Sequence, residues 1–284
     1  DRFAGILMLG VEATLGWRLA MVVPGIVLFL TGIAYYCLTQ DAPDGNFDEL
    51  RERGELPRAE KEYSMRSTFG AAARDVRVWA LFVVYAACFG VELTINNIAA
   101  IYFFDNFELD LATAGLIAGL FGLMNLFART LGGVFSDLFA RHGGLKGRVR
   151  WLFIAMFCEA IALMFFAQMQ VLAVAIGIML VFSLFVQMAE GATFGVVPFV
   201  NRNALGAVAG IVGAGGNAGA VAAGFLFRAE SLSYQQGLLY LGMAVMLASF
   251  FTFLVRFSPQ VLAEEDDAYR TASGETATAA LSLR

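Results

Sequence analysis

Residues 210–224 read GIVGAGGNAGAVAAG: six glycines in fifteen residues, one asparagine and no charge. In a water-exposed helix each interior Gly costs about 1 kcal/mol relative to Ala, so the crowding needs a reason. A phosphate-cradling loop does not supply it. Gly213 and Gly215 are followed by Ala218 where G-x-G-x-x-G requires Gly, and no Lys-Ser/Thr pair follows to make a P-loop. The stretch has to be read within the uncharged segment that contains it, 204–227, which holds seven glycines.

The whole chain supports that reading. Of its 284 residues 59% are hydrophobic and only 15% charged, with a mean hydropathy of +0.71. Soluble domains carry about 25% charged residues, so composition alone makes this a membrane protein. A crossing helix needs about 20 apolar residues. The sequence predicts seven: Leu19–Leu38, Val78–Phe104, Leu111–Phe139, Trp151–Ala167, Val171–Val200, Ala204–Phe227 and Leu238–Val255.

Net charge, at −5, matters less than where the bases lie, and nothing in it suggests a nucleic-acid partner. Arg51, Arg53, Arg58, Lys61, Arg66, Arg74 and Arg77 follow the first span. Arg141, Lys146, Arg148 and Arg150 follow the third, and Arg202 the fifth. The alternate loops hold Arg228 alone. By the positive-inside rule the basic loops and the C-terminus are expected in the cytoplasm, and the N-terminus outside. Phe3–Val11 lacks the basic flank and cleavage site of a signal peptide. A first residue of Asp suggests a start partway into a longer protein. Cys37, Cys88 and Cys158 fall in or beside spans, with no metal-binding spacing and no expected disulfide.

The predicted architecture is all-α, in four parts. Residues 1–38 form an outer stub and one helix, and 39–77 a polar cytoplasmic loop. Residues 78–256 form six helices joined by short turns, and 257–284 an acidic, then Ser/Thr/Ala-rich tail expected to be disordered. Asp41, Pro43, Asp44 and Gly45 are turn residues that stop the first span. The run DELRERGELPRAEKE beyond them suits a solvated amphipathic helix. Six tightly joined helices behind a long cytoplasmic linker look like one half of a six-plus-six transporter. The first helix would then be the last of the other half.

Arg129 is the leading functional candidate. It sits mid-span in AGLIAGLFGLMNLFARTLGGVFSD, where a charge costs roughly 2.5–3.5 kcal/mol to insert. No acid lies one turn away on its own span. A guanidinium offers paired donors at any relevant pH and suits a small planar oxyanion. The alternative is a structural ion pair with Glu92, Glu159 or Glu190, and these three are also the candidate proton carriers. Asn96 and Asn97 lie one turn beyond Glu92. His142, the only histidine, falls in a loop and is a poor relay.

The run GGVFSDLFARHGGLKGR (132–148) resembles the loop signature of the major facilitator superfamily. Gly133 would allow close helix packing, Asp137 would sit at a helix end, and Arg141, Lys146 and Arg148 would lie beneath as a gate. Leu138 departs from the pattern, standing where a base is common. In the opening stretch, Gly206, Gly210, Ala214, Gly215, Gly219, Gly216, Ala220 and Gly224 give small residues at spacing four, a packing pattern. Packing alone does not ask for Asn217, or for Gly215 and Gly216 side by side. Gly on a cavity face exposes backbone to a ligand, and the Asn amide can donate to an oxygen.

GAGGNAGA (213–220) resembles the second nitrate signature of the nitrate/nitrite porter family within the major facilitator superfamily. GWRLAMVVPG, TQDAPDGN, CFGVELTINNIAAIYFFDNF and GATFGVVPFVNRNALG resemble its plant, algal and cyanobacterial branch. The resemblance runs nearly to residue 258. It implies a plasma-membrane carrier, not an enzyme, with no cofactor, that takes up nitrate or nitrite by alternating access, coupled to protons. It implies that Arg129 is one of two arginines holding the anion, with Tyr85 and Phe89 lining the site. It also implies that the signature helix, Gly213 to Ala220, moves against its neighbours. The half with the second arginine is absent from the chain. The resemblance leaves open an accessory membrane protein. Two other readings remain: a carrier of another small anion, and a seven-helix receptor. A retinal protein needs a Lys within a span, whereas Lys61 and Lys146 both lie in loops.

Overall fold

The computed structural model describes residues 13–55, 65–228 and 232–272. They fall into two units, Asp1–Tyr63 and Ser64–Arg284. Among the described residues there is no strand.

In the first unit, α1 (Ala13–Leu38) ends at a tight turn in which Ala42 and Gly45 exchange backbone hydrogen bonds of 3.1 Å. The expected turn chemistry is what closes it. Gly45 takes φ 138°, open to Gly alone, and Asp41 accepts from the Phe47 amide at 3.2 Å. Of the expected amphipathic helix beyond it, the described residues hold α2 (Phe47–Glu52), and 56–64 lie outside them. Gly54 stops α2 in the left-handed conformation at φ 73°, with the Glu55 amide turned back to the Leu50 carbonyl. Arg58 and Lys61, like 1–12 and 273–284, lie outside the described residues.

The second unit opens with α3 (Met65–Ala73) and α4 (Val76–Phe107). Asp75 caps α4 and clamps Arg77 at 2.6 Å; Arg77 in turn donates to the Val200 carbonyl. After α4 comes α5 (Leu111–Leu123), capped by Asp110, whose carboxylate accepts from Thr113 Oγ1 and from the Ala112 and Thr113 amides. Those bonds, the Thr113 hydroxyl first, hold Asp110 below its ordinary value of 3.8. A depressed carboxylate contributes stability that is present above its unfolded pKa and lost as pH falls through the folded one. Asp110→Ala is therefore expected to lower the melting temperature at pH 7. The gap to the parent should close below about pH 3.8; thermal melts across pH check it.

Met124 interrupts the helix, and α6 (Asn125–Ala167) follows. Its 43 residues do not run straight. Gly144 breaks the helix at φ 54°, ψ −145°, and the arms 125–143 and 145–167 fold back on each other. Trp151 Nε1 donates to the Gly132 carbonyl at 3.0 Å, and the indole packs at a tilt against Phe135 and Phe139. Next come α7 (Leu172–Val196), a 3₁₀ turn at Val197–Phe199 around Pro198, and a second at Arg202–Ala204. Then follow α8 (Leu205–Arg228), α9 (Tyr234–Ser249) with a 3₁₀ extension to Leu254, and α10 (Pro259–Ala272).

Among the described residues five runs are long and apolar enough to cross a membrane: Val76–Phe107, Leu111–Ala167, Leu172–Phe199, Arg202–Arg228 and Tyr234–Leu254. The expected number was seven. The third and fourth expected spans are one doubled-back run of 57 residues, and the first expected span falls within the 26 residues of α1. The tail also differs from expectation, because 259–272 is helical. Ser258 accepts from the Val261 amide and Pro259 occupies the first helical position, a start signal the acidic composition obscured.

Glycines set the closest helix approaches. A Cβ on Gly132 would meet the Met188 backbone, with its Cα at 2.8 Å, and one on Gly191 would meet the Arg129 carbonyl. These positions bind α6 to α7. Gly133, expected to do this job, faces open space. On α8, Gly215 and Gly219 abut the backbone of Phe82 and Ala86 of α4, while Gly90 of α4 abuts Gly219 and Ala220 at 2.7 Å. Gly206, Gly210, Gly213 and Gly224 meet nothing within 4 Å. The spacing-four sets therefore mix packed and open positions.

Candidate functional site

Three stripes, each one face of a helix, converge inside the second unit. On α4 it is Tyr85, Phe89 and Glu92; on α6, Asn125, Arg129 and Gly132; on α7, Ser183, Gln187, Glu190, Gly191 and Phe194. Each set repeats at three or four residues, the spacing of neighbours on one helical face. The glycine contacts at 132 and 191 bring α6 and α7 close enough for their polar groups to touch.

Arg129 is the hub. Its Nη2 donates to Glu92 Oε2 at 3.0 Å and to Glu190 Oε2. Both acids come from other helices, which is why its own span showed no partner. Asn125 Nδ2 donates to the other oxygen of Glu92 at 2.9 Å, fixing that carboxylate from one turn before Arg129. Glu92 and Glu190 are buried, whereas the Arg129 side chain remains 38% exposed. Oε1 of Glu190 and Nε of Arg129 have no hydrogen-bond partner. Thus the charge is anchored behind by two acids and open in front.

Aromatic rings build the wall. The Arg129 guanidinium lies 5.7 Å from the centre of the Phe89 ring. Phe89 stacks on Tyr85 at 5.1 Å and 6°, and Phe194 meets Tyr85 edge-on at 5.1 Å. Gly216 of α8 is buried behind this wall, where a Cβ would collide with the Phe89 ring. Gly215 and Gly219 seat α8 on α4 at the same level. Of the signature stretch, Ala214 and Asn217 are exposed on the opposite side from that contact, and Gly213 faces open space.

Beside the hub, the Met124 interruption has its own support. The Phe121 carbonyl accepts from Ser183 Oγ at 2.9 Å and from Gln187 Nε2 at 3.1 Å. Side chains of α7 thus satisfy backbone at a break in an apolar helix. Glu159 is fully buried on the arm 145–167, and neither of its oxygens has a partner.

The loop motif is arranged differently from expectation. Asp137 lies within the arm 125–143, not at a helix end, and pairs with Arg148 of the returning arm at 2.6 Å. Arg148 also reaches Ser136 and covers the Phe199 ring at 5.2 Å. Arg141 is exposed and makes no ion pair among the described residues. Asn96 and Asn97 are exposed, and Asn97 bonds back to the Leu93 carbonyl. Sequence reading missed Asn125, Phe194 and the Ser183–Gln187 pair. Only Asn125 carried a signal, standing four residues before Arg129.

A bundle of apolar helices thus encloses one partly exposed cation, Arg129. The profile of the Major Facilitator Superfamily matches residues 3–224, and the chain belongs to that family. It is 40% identical over 256 residues to the high affinity nitrate transporter 2.5 of Arabidopsis thaliana, covering 90% of this chain and 50% of that one. It is 36% identical over 283 residues to nitrate transporter 2.1 of Chlamydomonas reinhardtii, covering 94% and 51%. The nitrate/nitrite transporter NrtP of Picosynechococcus sp. is 40% identical over 146 residues, covering 51% and 27%. The chain spans about half the length of the first two relatives.

Proposed function

We propose that this chain is the C-terminal half of a secondary transporter that takes up nitrate, and nitrite as the closely related oxyanion, by alternating access with protons. The observation that carries the reading is the Arg129 hub. Shared between two buried carboxylates, the guanidinium still keeps donors toward open space, where a planar oxyanion fits against Phe89. The relatives' names support nitrate as that anion.

Charge balance supplies the coupling. Arg129 with Glu92 and Glu190 sums to +1 − 2 = −1. A bare anion would take the cluster to −2, and like charges about 4 Å apart repel by about 4 kcal/mol at an effective dielectric of 20. One proton entering with one anion leaves the sum at −1. Glu190, with its unpartnered Oε1 beside Arg129, is the first station for that proton, and Glu159 a second one deeper in the bundle. Met124 and the Gly-lined α4–α8 contact are where the half bends and slides. Asn217, Gly213 and Ala214 are left for the other half to close upon, and the Asp137–Arg148 pair with Arg141 serves as the cytoplasmic gate. The basic loops support a cytoplasmic orientation for that end and the C-terminus, and the membrane proposed for the carrier is the plasma membrane.

Nitrate depletion by cells lacking their own nitrate carrier tests the substrate. The sequence extended upstream from its gene is expected to deplete nitrate, with excess nitrite competing and chloride or formate not. Depletion of another anion with nitrate ignored would assign a different small-anion carrier.

A further inference from the structure

Where the last membrane-length run meets the α6 hairpin, a cavity of about 450 Å³ opens. Lys146, Arg150 and Arg256 line it, together with Phe253, Val255 and Phe257. All three cations are exposed, and none pairs with a carboxylate among the described residues. Arg256 commits only one donor, to the Phe253 carbonyl at 3.1 Å. Three other bases near this end are matched with acids, Arg148 with Asp137, Arg77 with Asp75, and Arg202 with Glu265 of α10, while Arg141 stands outside the cavity lining. Three uncompensated positive charges around one cavity therefore call for an anion from outside the chain.

The surroundings say which kind. Phe250, Phe253 and Leu254 are each about half exposed beside the cavity, on a run of membrane-crossing composition. Such a surface lies against acyl chains, so the cations stand at headgroup depth. Basic pockets on the cytoplasmic side of membrane helices are suited to anionic headgroups. We propose that Lys146, Arg150 and Arg256 hold the phosphate of an anionic phospholipid, with its glycerol and upper acyl chains against Phe253, Val255 and Phe257. The choice of leaflet rests on the cytoplasmic orientation proposed above. Binding in detergent does not depend on orientation or on transport, so the two can fail separately.

The test is native mass spectrometry of the delipidated chain in mild detergent. It is offered phosphatidylglycerol or phosphatidylcholine with the same acyl chains. A preference for phosphatidylglycerol of roughly tenfold is expected, as for two or more basic groups near one headgroup. It should vanish in Lys146→Gln/Arg150→Gln/Arg256→Gln and persist in the charge-keeping Lys146→Arg/Arg150→Lys/Arg256→Lys. Arg66→Gln/Arg74→Gln, which removes two exposed bases elsewhere, should leave it intact. Equal binding of the two lipids by the parent chain, a preference that survives the triple Gln change, or an equal loss in the Arg66/Arg74 control would overturn the site. Displacement by excess inorganic phosphate would reassign it to a free anion. A preference appearing only after removal of 259–284 would make the chain's own acidic helix the occupant.

Discussion

Arg129→Lys is expected to leave at most about 1% of nitrate uptake while the protein reaches the membrane at its normal level. Lys keeps the charge but loses the fork. One ammonium cannot bridge Glu92 and Glu190, 3.0 Å away in the first case, and still present donors to an oxyanion beside Phe89. Disturbing one member of a buried, hydrogen-bonded charge set costs about 2–5 kcal/mol, which spans more than two decades in rate or affinity. Uptake assays paired with surface biotinylation read both quantities. Near-normal uptake would remove Arg129 from the anion site. Loss of the protein from the membrane would mean that the triad is structural only.

The second large effect concerns folding and turns on neighbouring glycines. Gly132→Ala and Gly219→Ala place a methyl against backbone that cannot step aside: Met188 Cα at 2.8 Å and the Ala86 Cα at 2.8 Å. Overpacking of this kind costs about 1–3 kcal/mol, so folded, monodisperse protein should fall several-fold. Gly133→Ala and Gly224→Ala enter open space and are expected to leave the yield unchanged. Fluorescence-detected size exclusion with thermal melts separates the two pairs. Equal behaviour of Gly132→Ala and Gly133→Ala would contradict the α6–α7 contact described above.

Much of this was legible in the chain itself. Hydrophobic run length and the placement of bases carry the helical membrane fold, because a bilayer imposes both. Arg129 and Glu190 stand out since an intramembrane charge is costly wherever it falls. Which glycine packs was not legible: 132 and 133 are identical letters, and only the rotation of α6 toward α7 tells them apart. The doubling-back at Gly144 falls within the basic turn expected between the third and fourth spans, and only the shortness of that turn was hidden. The turn is so short that helical geometry resumes on both sides, and polar residues 141–150 read as a loop. The pairing of Arg129 with two acids 37 and 61 residues away is a tertiary fact with no local trace. Asn125 was readable in principle, by its one-turn spacing from Arg129, and α10 by its Ser258-Pro259 start.

The central claim is that the anion held by Arg129 enters with a proton that the two acids receive. It is tested most directly in proteoliposomes without a membrane potential, carrying the sequence extended upstream from its gene. External pH is followed when nitrate is added outside. The account predicts external alkalinisation that depends on nitrate, and Glu190→Gln should abolish it along with the pH dependence of uptake. Nitrate entry with no proton movement, unchanged in Glu190→Gln, would contradict the charge-balance mechanism.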